Sequence, residues 1–86
     1  MILHIGNGKT VRQKDIIGIF DMDTASLSRT SRAFLSRAEK EGCVFAADAD
    51  IPRSFVLCRT EGQKKIYLSH ISPSSLCART DAIQTE

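Results

Sequence analysis

Arg29, Arg32, Ser36 and Lys40 recur every three to four residues. That spacing lines side chains up along one side of a helix. Arg37 flanks the stripe. The chemistry open to such a ridge is phosphate contact, with guanidinium and ammonium groups meeting phosphate oxygens and hydroxyls adding neutral bonds. Leu27, Ser31, Phe34 and Ala38 share the opposite sector, with Leu35 at its edge. The helix thus has two tasks: closing a small core and offering positive charge to a partner, with nucleic acid the first candidate. The competing reading is a solvated face with Glu39 and Glu41 nearby. From these residues alone it is the better supported, because most basic helix faces are merely solvated.

Other basic residues are scattered: Lys9, Arg12 and Lys14 around the second and third strands, Arg53 after Pro52, and Lys64 and Lys65 at a hairpin tip. Each alone reads as surface charge. A few phosphate contacts per subunit bind duplex DNA weakly. An oligomer that repeats them binds tightly, with steep salt dependence. The candidates for phosphate contact are Lys14, Arg29, Arg32, Lys40 and Arg53. No recognition-helix motif is present, so no residue is assigned base readout.

Catalytic patterns are poor. His4 and His70 are far apart, and neither a paired cysteine nor an H-x-x-x-H supports a metal site. His4 and Cys58 could meet as base and nucleophile, but no spacing points to it. Gly6-Asn7-Gly8-Lys9-Thr10 ends like a phosphate loop, yet lacks its first glycine and a following helix. Asp21 and Asp23 resemble the start of a calcium loop without its glycine or terminal glutamate, and fit better as helix-start acids. The expectation is a non-enzyme with no metal and no cofactor.

The chain has 86 residues, 42% of them apolar, and a net charge of +2. That is one folded domain, marginal alone, and not a generic polycation. Cys43, Cys58 and Cys77 are an odd, unclustered set, which suits reduced thiols in a cytoplasmic protein. No basic leader and no apolar run of membrane-spanning length occurs, so no membrane partner is expected.

Strands are expected at 2–5, 9–12, 15–20, 44–47, 54–59 and 65–69. Turns fall at Gly6-Asn7-Gly8 and at Thr60–Gln63. Gly18 inside the third strand marks a bulge or a close backbone approach. The long helix is expected from Ser26 or Leu27 to Glu41, capped by Thr24 or Ser26 and stopped at Gly42. Ser72-Pro73 opens a short last helix. Residues 1–79 form a single domain and 80–86 a polar, frayed tail. The fold class is α+β: a mainly antiparallel sheet, one long helix and a short C-terminal helix. One helix covers one face, yet Phe55-Val56-Leu57-Cys58 and Ile16-Ile17 are apolar on both. Another subunit is the favoured cover for the second face. The alternative is cover from the short helix and loops of the same chain.

The ordered set Leu3-His4-Ile5-Gly6-Asn7, Lys14 through Ser26, Arg37-Ala38-Glu39-Lys40-Glu41-Gly42, Pro52-Arg53-Ser54-Phe55-Val56 and Tyr67-Leu68-Ser69 resembles a known family. It is the bacterial extracellular matrix regulator family RemA/RemB, on its RemB (YaaB-type) branch, and the likeness runs to about Arg79. The resemblance implies a transcriptional regulator of biofilm matrix genes. It implies a closed homo-oligomeric ring, of roughly six to eight subunits, along which double-stranded DNA wraps on repeated basic residues. The RemA branch carries an arginine cluster in the loop after the post-helix strand. Here that loop is Asp48-Ala49-Asp50-Ile51-Pro52-Arg53, and only Arg53 matches. The basic residue that branch has at the start of the isoleucine strand falls near Asp15, with Lys14 beside it, and Arg32 matches a basic helix position. A ring that binds another regulatory protein instead of DNA is the alternative.

Overall fold

The computed structural model describes residues 2–47 and 50–79, with the backbone alone at 25–27. Strands β1 (Ile2–Gly6) and β2 (Lys9–Arg12) pair as an antiparallel hairpin. A 3-10 turn over Gln13–Asp15 leads to β3 (Ile16–Asp21). Helices α1 (Met22–Leu27) and α2 (Arg29–Lys40) follow, then β4 (Val44–Ala46), β5 (Ser54–Thr60), β6 (Gln63–Ser69) and α3 (Pro73–Ala78). Among the described residues the strands form two sheets, the β1–β2 pair and a four-stranded sheet in the order β3-β5-β6-β4. The larger sheet is mixed, since β4 runs parallel to β6. The α+β class therefore holds. Residues 80–86, expected to fray, lie outside the described residues.

Two tight turns follow from local chemistry. Asn7 and Gly8 both have positive φ (50° and 75°), as do Glu61 and Gly62 (52° and 80°). Two consecutive positive φ angles give the hairpin turn whose twist matches the flanking strands. The second hairpin is tighter than expected, because Thr60 and Gln63 pair directly.

The expected single helix is two. Ser28 is extended (φ −94°, ψ 126°), and its hydroxyl accepts from the Ser31 N–H at 3.3 Å. A serine that competes for backbone donors in this way ends one helix and caps the next. Ser28, not Thr24 or Ser26, therefore caps α2. The start of α1 is served by Asp21, whose carboxylate accepts from the N–H groups of Asp23 (2.8 Å) and Thr24 (3.4 Å). The reading of Asp21 as a helix-start acid thus has a geometric basis. Leu27, placed on the core side in the sequence reading, falls in α1, and its side chain lies outside the described residues.

The core has two layers, one on each face of the large sheet. On one face Phe55 and Ile66 pack with Ala38, Phe34 and Leu35 of α2, joined by Leu57, Leu68 and Val44. On the other, Val56 and Cys58 pack with Leu3, Ile5 and Val11 of the hairpin and Leu76 of α3. This corrects the expectation that favoured a second subunit as the cover: the same chain covers the second face. The β1–β2 hairpin folds back over it, and α3 closes the end. Two buried serines lock that layer. Ser69 donates to the Ile5 carbonyl at 2.7 Å, and Ser54, its cross-strand partner, donates to the Ile71 carbonyl at 2.7 Å.

A bulge sets the faces of β3. Ile16 pairs with Cys58 and Gly18 with Leu57, so Ile17 is an extra residue. One inserted residue exchanges the two faces of a strand. Ile16 and Ile19 consequently both join the hairpin layer, while Phe20 turns to the helix layer and stacks on Phe55, with ring centroids 4.9 Å apart. The bulge reading of Gly18 holds; what comes close to it is no backbone but the Phe20 ring, which a Cβ there would meet at 2.8 Å.

Candidate nucleic-acid interface

Helix α2 lies on the sheet through Phe34, Leu35 and Ala38 and leaves its other side to water. Arg29, Arg32, Ser36, Arg37 and Lys40 are all exposed. Eleven residue steps lead from Arg29 to Lys40, which at about 1.5 Å per residue is about 16 Å of ridge. Among the described residues the ion pairs are Arg12–Asp15 at 2.9 Å and Lys64–Glu41 at 3.6 Å. No carboxylate among them neutralises Arg29, Arg32, Arg37 or Lys40. Glu39 is exposed on the same helix and, with Arg32, rims an apolar cleft of about 310 Å³ floored by Met22, Leu35, Val44 and Leu68.

The other two candidates stand apart. Arg53 is held by its backbone: its N–H donates to the Ser69 carbonyl at 2.8 Å, and its carbonyl accepts from the Met22 N–H at 3.0 Å. Its exposed side chain therefore projects where β5 begins and α1 starts. Lys14 is exposed in the 3-10 turn ahead of β3. Ile16 pairs with Cys58 at one end of the β3–β5 ladder and Asp21 with Ser54 at the other. Lys14 and Arg53 thus mark opposite ends of a strand roughly 15 Å long. The five candidates frame one side and both ends of the molecule and do not form one compact cluster.

Asp15 has a structural task. Its carboxylate accepts from Arg12 Nε at 2.9 Å and from Thr60 Oγ1 at 3.2 Å, tying the turn to the β5–β6 hairpin. Arg12 is thereby neutralised and Lys14 is not.

Basic residues near the C-terminal end of α2 escaped the sequence reading as a group. Arg59 and Lys64 are cross-strand partners, and Lys64 reaches Glu41 and sits 5.1 Å from the centre of the Phe34 ring. Counting back from the turn at Glu61-Gly62 would have paired them. Cys58 is 1% exposed, and burial, followed by the nearby Asp15 charge, pushes its thiol up to about 11. It is a neutral core thiol, whereas His4 is exposed on β1.

The fold of these elements extends from β1 to α3, and over residues 2–80 the sequence matches the RemA-like family model, described as extracellular matrix regulatory protein A-like. The chain belongs to this family. The match covers every element of the RemA-like fold described above, including α2 and the Arg53 junction. The family is one of extracellular matrix regulators, in agreement with the resemblance carried by the sequence. No curated protein matches the chain. Among the described residues no helix is long and apolar enough to cross a membrane.

Proposed function

We infer that this RemA-like protein is a transcriptional regulator of the RemB branch that binds duplex DNA as a homo-oligomeric ring. The observation that carries the reading is the α2 ridge: four exposed cations along about 16 Å, none neutralised by a described carboxylate. Phosphate contact suits that ridge, because arginine and lysine side chains there lose little on meeting an anion. One copy holds too few cations for tight binding, so repetition around an oligomer supplies affinity. Assembly is supported by apolar side chains that one copy leaves in water: Ile17 (60% exposed) and Phe20 (43%) on edge strand β3, and Ile51 (86%) in the loop before Arg53. Sequence preference would then come from the ease of bending DNA around the ring.

A second reading has its own observation. The cleft between α2 and β4 is apolar inside and charged at its rim, which fits a side chain from another regulatory protein. Light scattering with and without a short DNA duplex at low salt separates the two. A mass of roughly six to eight subunits that rises with DNA supports the ring regulator. A ring that ignores DNA favours the protein partner. A monomer removes the architecture on which both depend.

A further inference from the structure

At the C-terminal end of α2 a cleft of about 420 Å³ opens beside the β5–β6 turn. It is lined by Glu41, Gly42, Cys43 and Phe45 from one stretch of chain and by Gln63, Lys64 and Lys65 from another. Phe45 is on the edge strand β4 and is 43% exposed. Its ring leans on Tyr67, its partner across the ladder, with centroids 5.6 Å apart and planes tilted by 32°. One neighbour therefore fixes the ring while much of it stays open to water. Lys65 precedes Tyr67 by two residues, so strand alternation sets both on the same face. No described carboxylate pairs with Lys65, whereas Lys64 shares its charge with Glu41.

A fixed aromatic face in the same cleft as a lysine that makes no described ion pair matches a nucleobase and its phosphate. The base stacks on the ring and the lysine takes the charge. Lys64 and Glu41 offset one another's charge, so the phosphate is left to Lys65. A duplex keeps its bases stacked inside and cannot use such a platform. An apolar side chain of a protein partner would leave Lys65 without an anion. We propose that this cleft binds single-stranded DNA, with one unpaired base stacked on Phe45 and its phosphate on Lys65. This surface is distinct from the α2 ridge and does not depend on it.

The chain has one tyrosine and no tryptophan, so Tyr67 is a built-in reporter. Titration with a short oligothymidine strand at low salt should quench its emission, and labelled oligothymidine gives the affinity. Phe45→Ala should weaken binding about tenfold or more, Phe45→Tyr should keep it within about twofold, and Lys65→Ala should weaken it several-fold. The Arg29→Glu/Arg32→Glu chain, stripped of its duplex ridge, should still bind the strand. The proposal is overturned if wild type leaves the oligonucleotide unbound, or if folded Phe45→Ala binds it as well as wild type does. It is also overturned if Phe45→Ala changes only the solution mass, which would make the cleft a subunit contact. Should Phe45→Ala fail to fold, the Phe45→Tyr and Lys65→Ala pair decides by the same criteria.

Discussion

Neutralising Arg29 and Arg32 together tests the α2 ridge quantitatively. Both side chains are exposed, and neither meets a described carboxylate. The change Arg29→Ala/Arg32→Ala should therefore move stability by no more than about 1 kcal/mol, about 0.5 for each exposed residue. The effect on DNA should be large. With Arg29, Arg32 and Lys40 each on a phosphate, log affinity falls with log salt at a slope of about −2.7 per subunit, and two fewer contacts leave about −0.9. Between 50 and 200 mM salt, wild type then weakens about 40-fold per engaged subunit and the variant only about 3- to 4-fold. Lys14 and Arg53 shift both slopes alike, so the difference of about 1.8 does not depend on whether they touch DNA. Fluorescence anisotropy of a labelled duplex over a salt series reads the slope, and light scattering checks that assembly is unchanged. The charge reversal Arg29→Glu/Arg32→Glu should go further and abolish binding with the oligomer intact. Equal slopes for wild type and the alanine pair would show that the ridge is only solvated.

Ser69→Ala removes a buried donor to the Ile5 carbonyl and an acceptor for the Ile71 N–H. It should cost about 1–3 kcal/mol, seen as a drop in melting temperature of several degrees or more. Gly18→Ala should displace the Phe20 ring, which the new Cβ would meet at 2.8 Å. If Phe20 takes part in assembly, light scattering will show the loss. The Cys58 thiol, raised from 9.0 to about 11 by burial, stays protonated in the fold while the unfolded chain ionises. Stability should thus fall as pH rises between those values, by up to roughly 2 kcal/mol, and Cys58→Ser should flatten that part of the curve in denaturant titrations. In thiol labelling of native protein, the half-buried Cys43 and Cys77 should react before Cys58.

Much of this fold is legible in the amino-acid sequence because its signals are local. Apolar periodicity marks Phe34 and Ala38 as core and Arg29, Arg32 and Lys40 as surface. Asn7-Gly8 and Glu61-Gly62 fix their turns through the φ angles they tolerate, and Ser72-Pro73 starts α3 as expected. Placing Ser28 as a cap required knowing that its hydroxyl turns to Ser31, a choice every serine from 26 to 31 also had. Tertiary structure alone decided which layer covers which face. The β1–β2 hairpin can close the second face of the sheet only after residues far apart in the chain meet. The Ile17 bulge decides whether Phe20 faces helix or hairpin. The candidate site divides in the same way. The α2 ridge is written in helical spacing, but the cleft joining Glu41 and Phe45 to Lys65 draws on two segments that only sheet pairing brings together. Local propensity fixes the elements, whereas strand register and layer contacts are non-local, and a one-residue shift there turns every side chain to the other face.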